Sequence, residues 1–271
     1  MSRQWTETDI PDLHGRTAVV TGASTGLGFE VTRSLSGNGA TVIMACRNTV
    51  KAESAAERIR GAVPGARLRT IPLDLVSLAS VSAAAAWLRA EYPQLDLLVN
   101  NAGGINPRYA VTADGFETTL GTNHLGPFAL TGLVLDLLLA APAGRIVTVS
   151  SVGHRRGAIN FDDLQSERGY RFQHAYFQSK LANLLFSYEL QRRLGAAGSP
   201  AIAVAAHPGV RGGEYYGPDG WHEWTGHPVR VESIPRSHDA AAQRRLWETS
   251  EQLTGVTYRI AAARGPATNS A

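Results

Sequence analysis

The sequence is poor in several features that mark whole classes of protein. It has one cysteine, Cys46, in 271 residues, so no internal disulfide can form and a disulfide-stapled scaffold is excluded. Charged residues make up 18% against 44% hydrophobic, which is too little charge and too much apolar content for a disordered chain. The 26 Lys and Arg exceed the 23 Asp and Glu by a formal +3. They are scattered rather than clustered, so a nucleic-acid partner is not expected. There is no membrane-length apolar run: residues 130–143 are interrupted by Asp136 and Pro142 and fall short of the roughly 20 residues that cross a bilayer. Residues 1–16 are polar, carry Glu7, Asp9 and Asp12, and lack the apolar stretch of a secretory signal. No fixed-period repeat is present. These absences point to a cytoplasmic globular protein without a membrane span, acting on a small molecule.

What is present is an alternation. Short apolar runs at 17–20, 41–45, 68–73, 95–99, 145–149 and 201–205 are interleaved with helical patterns at 27–35, 50–60, 76–91, 114–139 and 174–194. The short runs are rich in Val, Ile and Leu with no polar residue at every second position, as in strands buried on both faces. Strand–helix alternation of this kind predicts an α/β, Rossmann-like, doubly wound parallel sheet with helices on both faces, forming a single domain. The expected core is 15–209, and a C-terminal segment covers 213–262.

The first strand runs into Thr21-Gly22-Ala23-Ser24-Thr25-Gly26-Leu27-Gly28. Glycines permit a tight turn and close approach of backbone N–H groups to a pyrophosphate, and the helix that follows presents the positive end of its dipole. The spacing is G-x3-G-x-G rather than G-x-G-x-x-G. Its place between a strand and a helix still favours dinucleotide binding over a plain connection. The second strand ends in Cys46-Arg47-Asn48. An NAD site usually has an acidic residue hereabouts for the ribose 2′-hydroxyl, whereas Arg suits a 2′-phosphate, so NADP(H) is favoured over NAD(H). His222-Glu223-Trp224-Thr225-Gly226-His227 has its histidines five apart, not the four that share a helix face, so no metal site is expected.

Three further segments give the chain a family likeness: Leu73-Asp74-Leu75, Asn100-Asn101-Ala102-Gly103 and Tyr176-x3-Lys180. Together with the glycine turn they resemble the short-chain dehydrogenase/reductase family over about residues 15–209. Asn123-His124-Leu125-Gly126-Pro127-Phe128, Ser150-Ser151-Val152-Gly153-His154, Ile159-Asn160-Phe161-Asp162-Asp163-Leu164 and Ala175 to Asn183 resemble its retinol-dehydrogenase-like branch. The resemblance implies an oxidoreductase that moves hydride between NADP(H) and a carbonyl or alcohol. Tyr176 is then the acid/base, Lys180 the cation that stabilises its phenolate, Ser151 the group that orients the substrate oxygen, and Asn123 the support for a water behind Lys180. In the family the second serine of such a pair is the catalytic one, hence Ser151 and not Ser150. It also implies cofactor contacts at Asp74 and Leu75 for adenine, at Asn101, Ala102 and Gly103 for ribose, and at Pro208 and Gly209 beside the nicotinamide. Tyr176 and Lys180, four apart on one helix face, suit this chemistry because an unperturbed phenol, with a pKa near 10, is a poor base at neutral pH.

Each residue alone has a bland reading: a turn serine, a capping asparagine, a surface arginine. Their joint order favours the enzyme. The alternatives are an NADP(H)-binding scaffold or sensor without turnover and a non-redox enzyme on the same fold. The apolar faces of 128–139 and 181–190 either pair between subunits, as in the family's dimers and tetramers, or belong to the core. One departure stands out. Residues 213–217 resemble the family's last strand but follow Gly209 almost at once, where a substrate lid and a further helix are expected. A parallel crossover normally takes about a dozen residues or more. Either a segment is missing from the sequence, or it has been deleted, or 213–217 is not that strand; a helical pattern over 239–252 and Gly255-Val256 favour the first two.

Overall fold

The computed structural model describes residues 6–206, 215–218 and 228–260. Eight strands form one sheet, in the order β3-β2-β1-β4-β5-β6-β7-β8. They are β1 (Thr17–Thr21), β2 (Thr41–Cys46), β3 (Arg67–Pro72), β4 (Leu97–Asn100), β5 (Arg145–Val149), β6 (Ile202–Ala206), β7 (Tyr215–Pro218) and β8 (Pro228–Arg230). All neighbours pair in parallel except β7 and β8, which are antiparallel. The principal helices are α1 (Gly26–Gly37), α2 (Thr49–Ala62), α3 (Leu78–Glu91), α4 (Thr118–Leu120), α5 (Gly126–Leu133), α6 (Leu135–Ala140), α7 (Phe172–Ala196) and α8 (Ala240–Thr254).

The absence of polar alternation in the strands has a direct cause. Successive side chains point to opposite faces, and here both faces are covered. Val19 and Ile43 face a core shared with Val81 and Leu88 of α3 and Phe128 of α5. Ala18, Val20, Val42 and Met44 face another, lined by Ala52, Ala56 and Ile59 of α2. The strand order reverses between β1 and β4, so a crevice opens at their carboxyl ends, where ligands of open α/β sheets bind.

Two departures from the sequence pattern matter. The helix expected over 114–139 is broken. Glu117 caps α4 by accepting from the N–H groups of Thr119 (2.6 Å) and Leu120 (2.7 Å). A π-turn follows over Gly121–Leu125, and α5 stops at Val134, whose φ of −112° and ψ of 10° are not helical. Gly126 sits where a Cβ would lie 2.5 Å from the carbonyl oxygen of Leu75, so this broken stretch is pressed directly onto the loop after β3. The second departure is β8, which the sequence reading did not anticipate; it gives the parallel sheet an antiparallel edge.

Residues 215 and 216 pair in parallel with Ala205 and Ala206, as the family's last strand should. Residues 207–214, which join β6 to β7, are outside the described residues, as are Pro208, Gly209 and the segment from His222 to His227. The apolar faces of α5 and α7, read from sequence as either subunit contacts or core, carry Phe128 and Phe186. These are covered within the chain by Trp247 of α8 and by Tyr258, with ring centroids 4.8 to 6.3 Å apart. Gly132 is open to this cover, because a Cβ there would come within 2.6 Å of Val256. The hydroxyl of Tyr258 donates to the carbonyl of Phe128 (2.6 Å). Among the described residues no helix is long and apolar enough to cross a membrane.

Candidate active site

The turn between β1 and α1 is built by conformation first. Gly22 and Gly26 have φ of +67° and +56°, the left-handed region that other residues enter at a cost. Gly28 is required by space instead: a Cβ would lie 2.5 Å from Nδ2 of Asn101 and still closer to the carbonyl oxygen of Gly22. The same asparagine clamps the turn, donating to the carbonyl of Thr21 (2.9 Å). Thr21 returns the contact, its hydroxyl oxygen accepting from the N–H groups of Asn101 and Ala102 (3.0 Å each). The ends of β1 and β4 are thereby locked together at the point where the sheet reverses.

Above this lock lies a cleft of about 800 Å³, within the range of small-molecule and cofactor sites. Of the residues singled out in the sequence for cofactor contact, Gly22, Ser24, Thr25, Leu27, Gly28, Arg47, Asp74, Leu75, Asn101, Ala102 and Gly103 all line it. Gly26, which shapes the turn, does not, and neither do Tyr176 and Lys180, which were also expected to contact the cofactor; Pro208 and Gly209 lie outside the described residues. The sequence reading missed Asn48, Lys51, Gly104, Ile105, Asn106, Thr118, Thr119 and Thr122, which also face the cleft. Only Asn48 and Lys51, in the turn beside Arg47, had a local signal that could have found them. Asp74 is held by its own loop: its N–H donates to Ser80 Oγ (2.9 Å) and its carboxylate accepts from the N–H of Val76 (3.3 Å).

Behind Gly103 stands α7, which carries Lys180. Lys180 is 5% exposed, and its ammonium donates to the carbonyl of Val149 (3.0 Å). Among the described residues it has no carboxylate partner, and burial pushes its pKa down to about 8. Its Nζ lies 5.7 Å from the centre of the Tyr176 ring, as the i,i+4 spacing dictates. Gly103 lets the cleft reach this group, since a Cβ there would stand 3.4 Å from Lys180 Nζ and 3.0 Å from Asn123 Oδ1.

Asn123 is buried on the π-turn. Its Oδ1 accepts from the N–H of Gly104 (2.8 Å), and its Nδ2 donates to the carbonyl of Gly104 (2.9 Å) and to Ser179 Oγ (2.9 Å). Ser179 Oγ in turn donates to the carbonyl of Tyr176 (2.7 Å). The carboxamide therefore ties the loop after β4 to the helical turn that carries Tyr176 and Lys180.

The two adjacent serines have different surroundings. Ser150 is buried, and its hydroxyl donates to the carbonyl of Lys180 (2.8 Å), anchoring α7 to β5. Ser151 is half-buried and begins a 3₁₀ turn, accepting from the N–H of Gly153 (3.1 Å). Gly153 packs so closely on α7 that a Cβ would be 3.3 Å from the Tyr176 ring and 2.9 Å from Phe177. Asn123 and Lys180 thus stand behind Gly103, which lines the cleft, with Tyr176 beside Lys180 and against Gly153 of the turn that Ser151 begins; none of Ser151, Tyr176, Lys180 and Asn123 is itself a lining residue. The insertion before α7 laces this end shut on one side. Tyr170 donates to the carbonyl of Asn106 (2.5 Å), and Gln165 Oε1 accepts from the N–H of Glu117 (2.7 Å). Among the described residues no cluster of His, Cys, Asp or Glu is placed to hold a metal ion.

This arrangement has counterparts among known proteins. The family model described as short chain dehydrogenase matches residues 16–210. Human retinol dehydrogenase 12 is 48% identical over 198 residues, which is 73% of this chain and 62% of that protein. Human retinol dehydrogenase 13 is 45% identical over 199 residues, covering 73% and 60%. The chain thus spans a little over three fifths of the curated relatives it matches. A crystal structure of an uncharacterized protein from Mycobacterium paratuberculosis superposes with a TM-score of 0.85 at 41% identity, covering 95% of this chain and all of the other. A short chain dehydrogenase from Escherichia coli CFT073, solved in complex with NADPH, gives a TM-score of 0.59 at 27% identity over 73% of this chain and 78% of its own. With a sheet that reverses at a glycine turn and a Tyr–Lys helix behind it, the chain belongs to the short-chain dehydrogenase family.

Proposed function

We propose that the protein is an NADP(H)-dependent oxidoreductase that interconverts a carbonyl and an alcohol, with Tyr176 as the proton donor and acceptor. The observation that carries this reading is Lys180: an ammonium group buried, among the described residues, without a carboxylate, beside the Tyr176 ring and directly behind Gly103 of a dinucleotide-sized cleft. A buried, uncompensated cation costs stability, and such groups persist chiefly where function needs them.

The cleft suits a dinucleotide. The glycine turn brings backbone close to its floor, the N-terminus of α1 opens into it, and Gly103 leaves space beside Lys180. A bound nicotinamide dinucleotide would supply or accept the hydride, and the family uses NAD(P). Gly22, Ser24, Thr25, Leu27 and Gly28 would hold its pyrophosphate, Asp74 and Leu75 its adenine, and Asn101, Ala102 and Gly103 a ribose. Arg47 at the end of β2 favours the 2′-phosphate form. Residues 208 and 209 would flank the nicotinamide.

The proton chemistry belongs to this chain. Ser151 Oγ orients the substrate oxygen. The phenol of Tyr176 gives that oxygen its proton in reduction and takes it back in oxidation. The Lys180 ammonium stabilises the phenolate left behind, and Asn123 fixes the loop on which Gly103 and Gly104 lie. Removing one hydroxyl tests the assignment. Tyr176→Phe should retain NADPH binding, followed by fluorescence titration, and lose on the order of 10³ in turnover of carbonyl substrates, within the range for general acid–base catalysis. Turnover within a factor of two of the parent would overturn it.

A further inference from the structure

We infer that His124 is a positioning residue: its Nδ1–H holds the Asn183 carboxamide so that the amino group, and not the oxygen, shares the Val149 carbonyl with Lys180. The inference deepens the reading above, in which Lys180 supports Tyr176, and rests on it for its catalytic meaning. It starts from one acceptor with two donors. The carbonyl of Val149 accepts from Lys180 Nζ (3.0 Å) and from Asn183 Nδ2 (3.1 Å). A carboxamide turned over in place would bring its oxygen toward the ammonium, and a hydrogen bond to the charged form favours that form. Lys180 would then hold its proton more firmly. The carbonyl favours the amino end and the ammonium favours the oxygen, so the choice falls to what stands on the far side of the amide.

His124 stands there. Its ring is 2% exposed and packs near Phe128 and Phe186, with centroids 6.1 and 6.2 Å away. Burial pushes its pKa down to about 4, so at neutral pH it carries one ring N–H and one bare nitrogen. Nε2 lies 2.9 Å from Ser250 Oγ of α8. Nδ1 of His124 and Oδ1 of Asn183 are both buried with no hydrogen-bond partner among the described residues. Asn183 nevertheless favours the protonated ring, as an amide oxygen facing a ring N–H does. The two tautomers differ in what they leave over. With the proton on Nε2, Ser250 accepts from the ring and donates to the Leu246 carbonyl (2.8 Å), and two bare acceptors oppose each other in a buried site. With the proton on Nδ1, Ser250 donates to Nε2, the ring N–H serves Asn183 Oδ1, and the Leu246 carbonyl keeps its partner within α8. Buried polar atoms left unmatched are costly, so the site selects the second tautomer.

The test needs no turnover, so its failure is separate from that of the Tyr176 assignment. Nitrogen NMR of protein with isotope-labelled histidine reads the tautomer in the parent, and the signal missing from His124→Asn assigns it. The proton should sit on Nδ1; a proton on Nε2 would overturn the inference. The sequence has two lysines, Lys51 and Lys180, so carbon NMR of protein with labelled lysine follows the Lys180 titration once Lys51→Arg has assigned the other signal. Among the described residues no charged group contributes to the lowered pKa of Lys180, which burial alone causes, so a rise reports a new acceptor. Asparagine places an amide N–H where Nδ1–H stood, and glutamine places one where Nε2 stood. His124→Asn should therefore titrate at Lys180 like the parent. His124→Gln, which frees the carboxamide, should strengthen proton binding at Lys180 about tenfold, the size of one hydrogen bond to a charged group. A merely structural histidine would change the melting of both variants and the Lys180 titration of neither. Stronger proton binding in His124→Asn, or none in His124→Gln, would overturn the inference.

Discussion

Replacing Lys180 by methionine should make the ligand-free protein more stable at neutral pH while removing its activity. The sign follows from burial. Lys180 is almost fully buried, and its pKa falls from the usual 10.5 to about 8 because desolvation disfavours its charge. Between those two values the unfolded chain binds more protons than the folded one, so the lysine's contribution makes stability rise with pH. Below pH 8 the folded protein bears the full cost, ~3 kcal/mol at 1.36 kcal/mol per pKa unit. Methionine removes that cost and loses one hydrogen bond to Val149, worth about 1 kcal/mol. The Val149 carbonyl is not orphaned, because Asn183 Nδ2 also donates to it (3.1 Å). Lys180→Met should therefore gain ~2 kcal/mol at pH 7, and the gain should vanish by about pH 10.5. Urea unfolding of both proteins at pH 7, 9 and 10.5 measures the difference, and titrations common to both cancel. At a slope of about 3 kcal/mol per molar urea, the pH 7 midpoint should shift upward by roughly 0.7 M. A variant no more stable than the parent at pH 7, or a gain that does not shrink with pH, would refute the claim that Lys180 is held at a desolvation cost.

Two further outcomes follow from the packing. Gly28→Ala should cost ~2–3 kcal/mol and abolish dinucleotide binding, because its methyl would enter the Gly22 carbonyl and the Asn101 amide; a calorimetric melt and a nucleotide titration read the two effects. Trp247→Ala should cost ~3–5 kcal/mol, since the indole is buried against Phe128, Phe186 and Tyr258; size-exclusion chromatography with light scattering should then show self-association through the uncovered α5/α7 face.

The six strands of the first two hundred residues were legible because they lie in a sheet covered on both sides. Burial of both faces leaves an unbroken Val, Ile and Leu signature in each short run, and β1 to β6 fall within two residues of the expected positions. The glycine turn was legible too, since a left-handed φ at Gly22 and Gly26 and the close approach at Gly28 are demands on single residues. Local signals ended there. The broken helix over 114–139 reads as continuous because its apolar residues are those of a helix. What breaks it are contacts from far along the chain: the Gly104 backbone on Asn123, the Leu75 carbonyl beside Gly126, and Gln165 on the N–H of Glu117.

The division between sequence and tertiary structure runs through the site itself. Sequence alone determined which residue types are available: a Tyr and a Lys one helical turn apart, a serine pair after a strand, glycines where backbone must come close. Tertiary structure decided their surroundings. It turned Ser150 onto α7 and left Ser151 to start the turn whose Gly153 packs against the Tyr176 ring. It removed Lys180 from water without giving it, among the described residues, a carboxylate, and it lined the cleft with both Arg47 and Lys51. Backbone conformation is a short-range demand that single residues record. Desolvation and charge depend on every element that closes around a group, and no local stretch of sequence contains them.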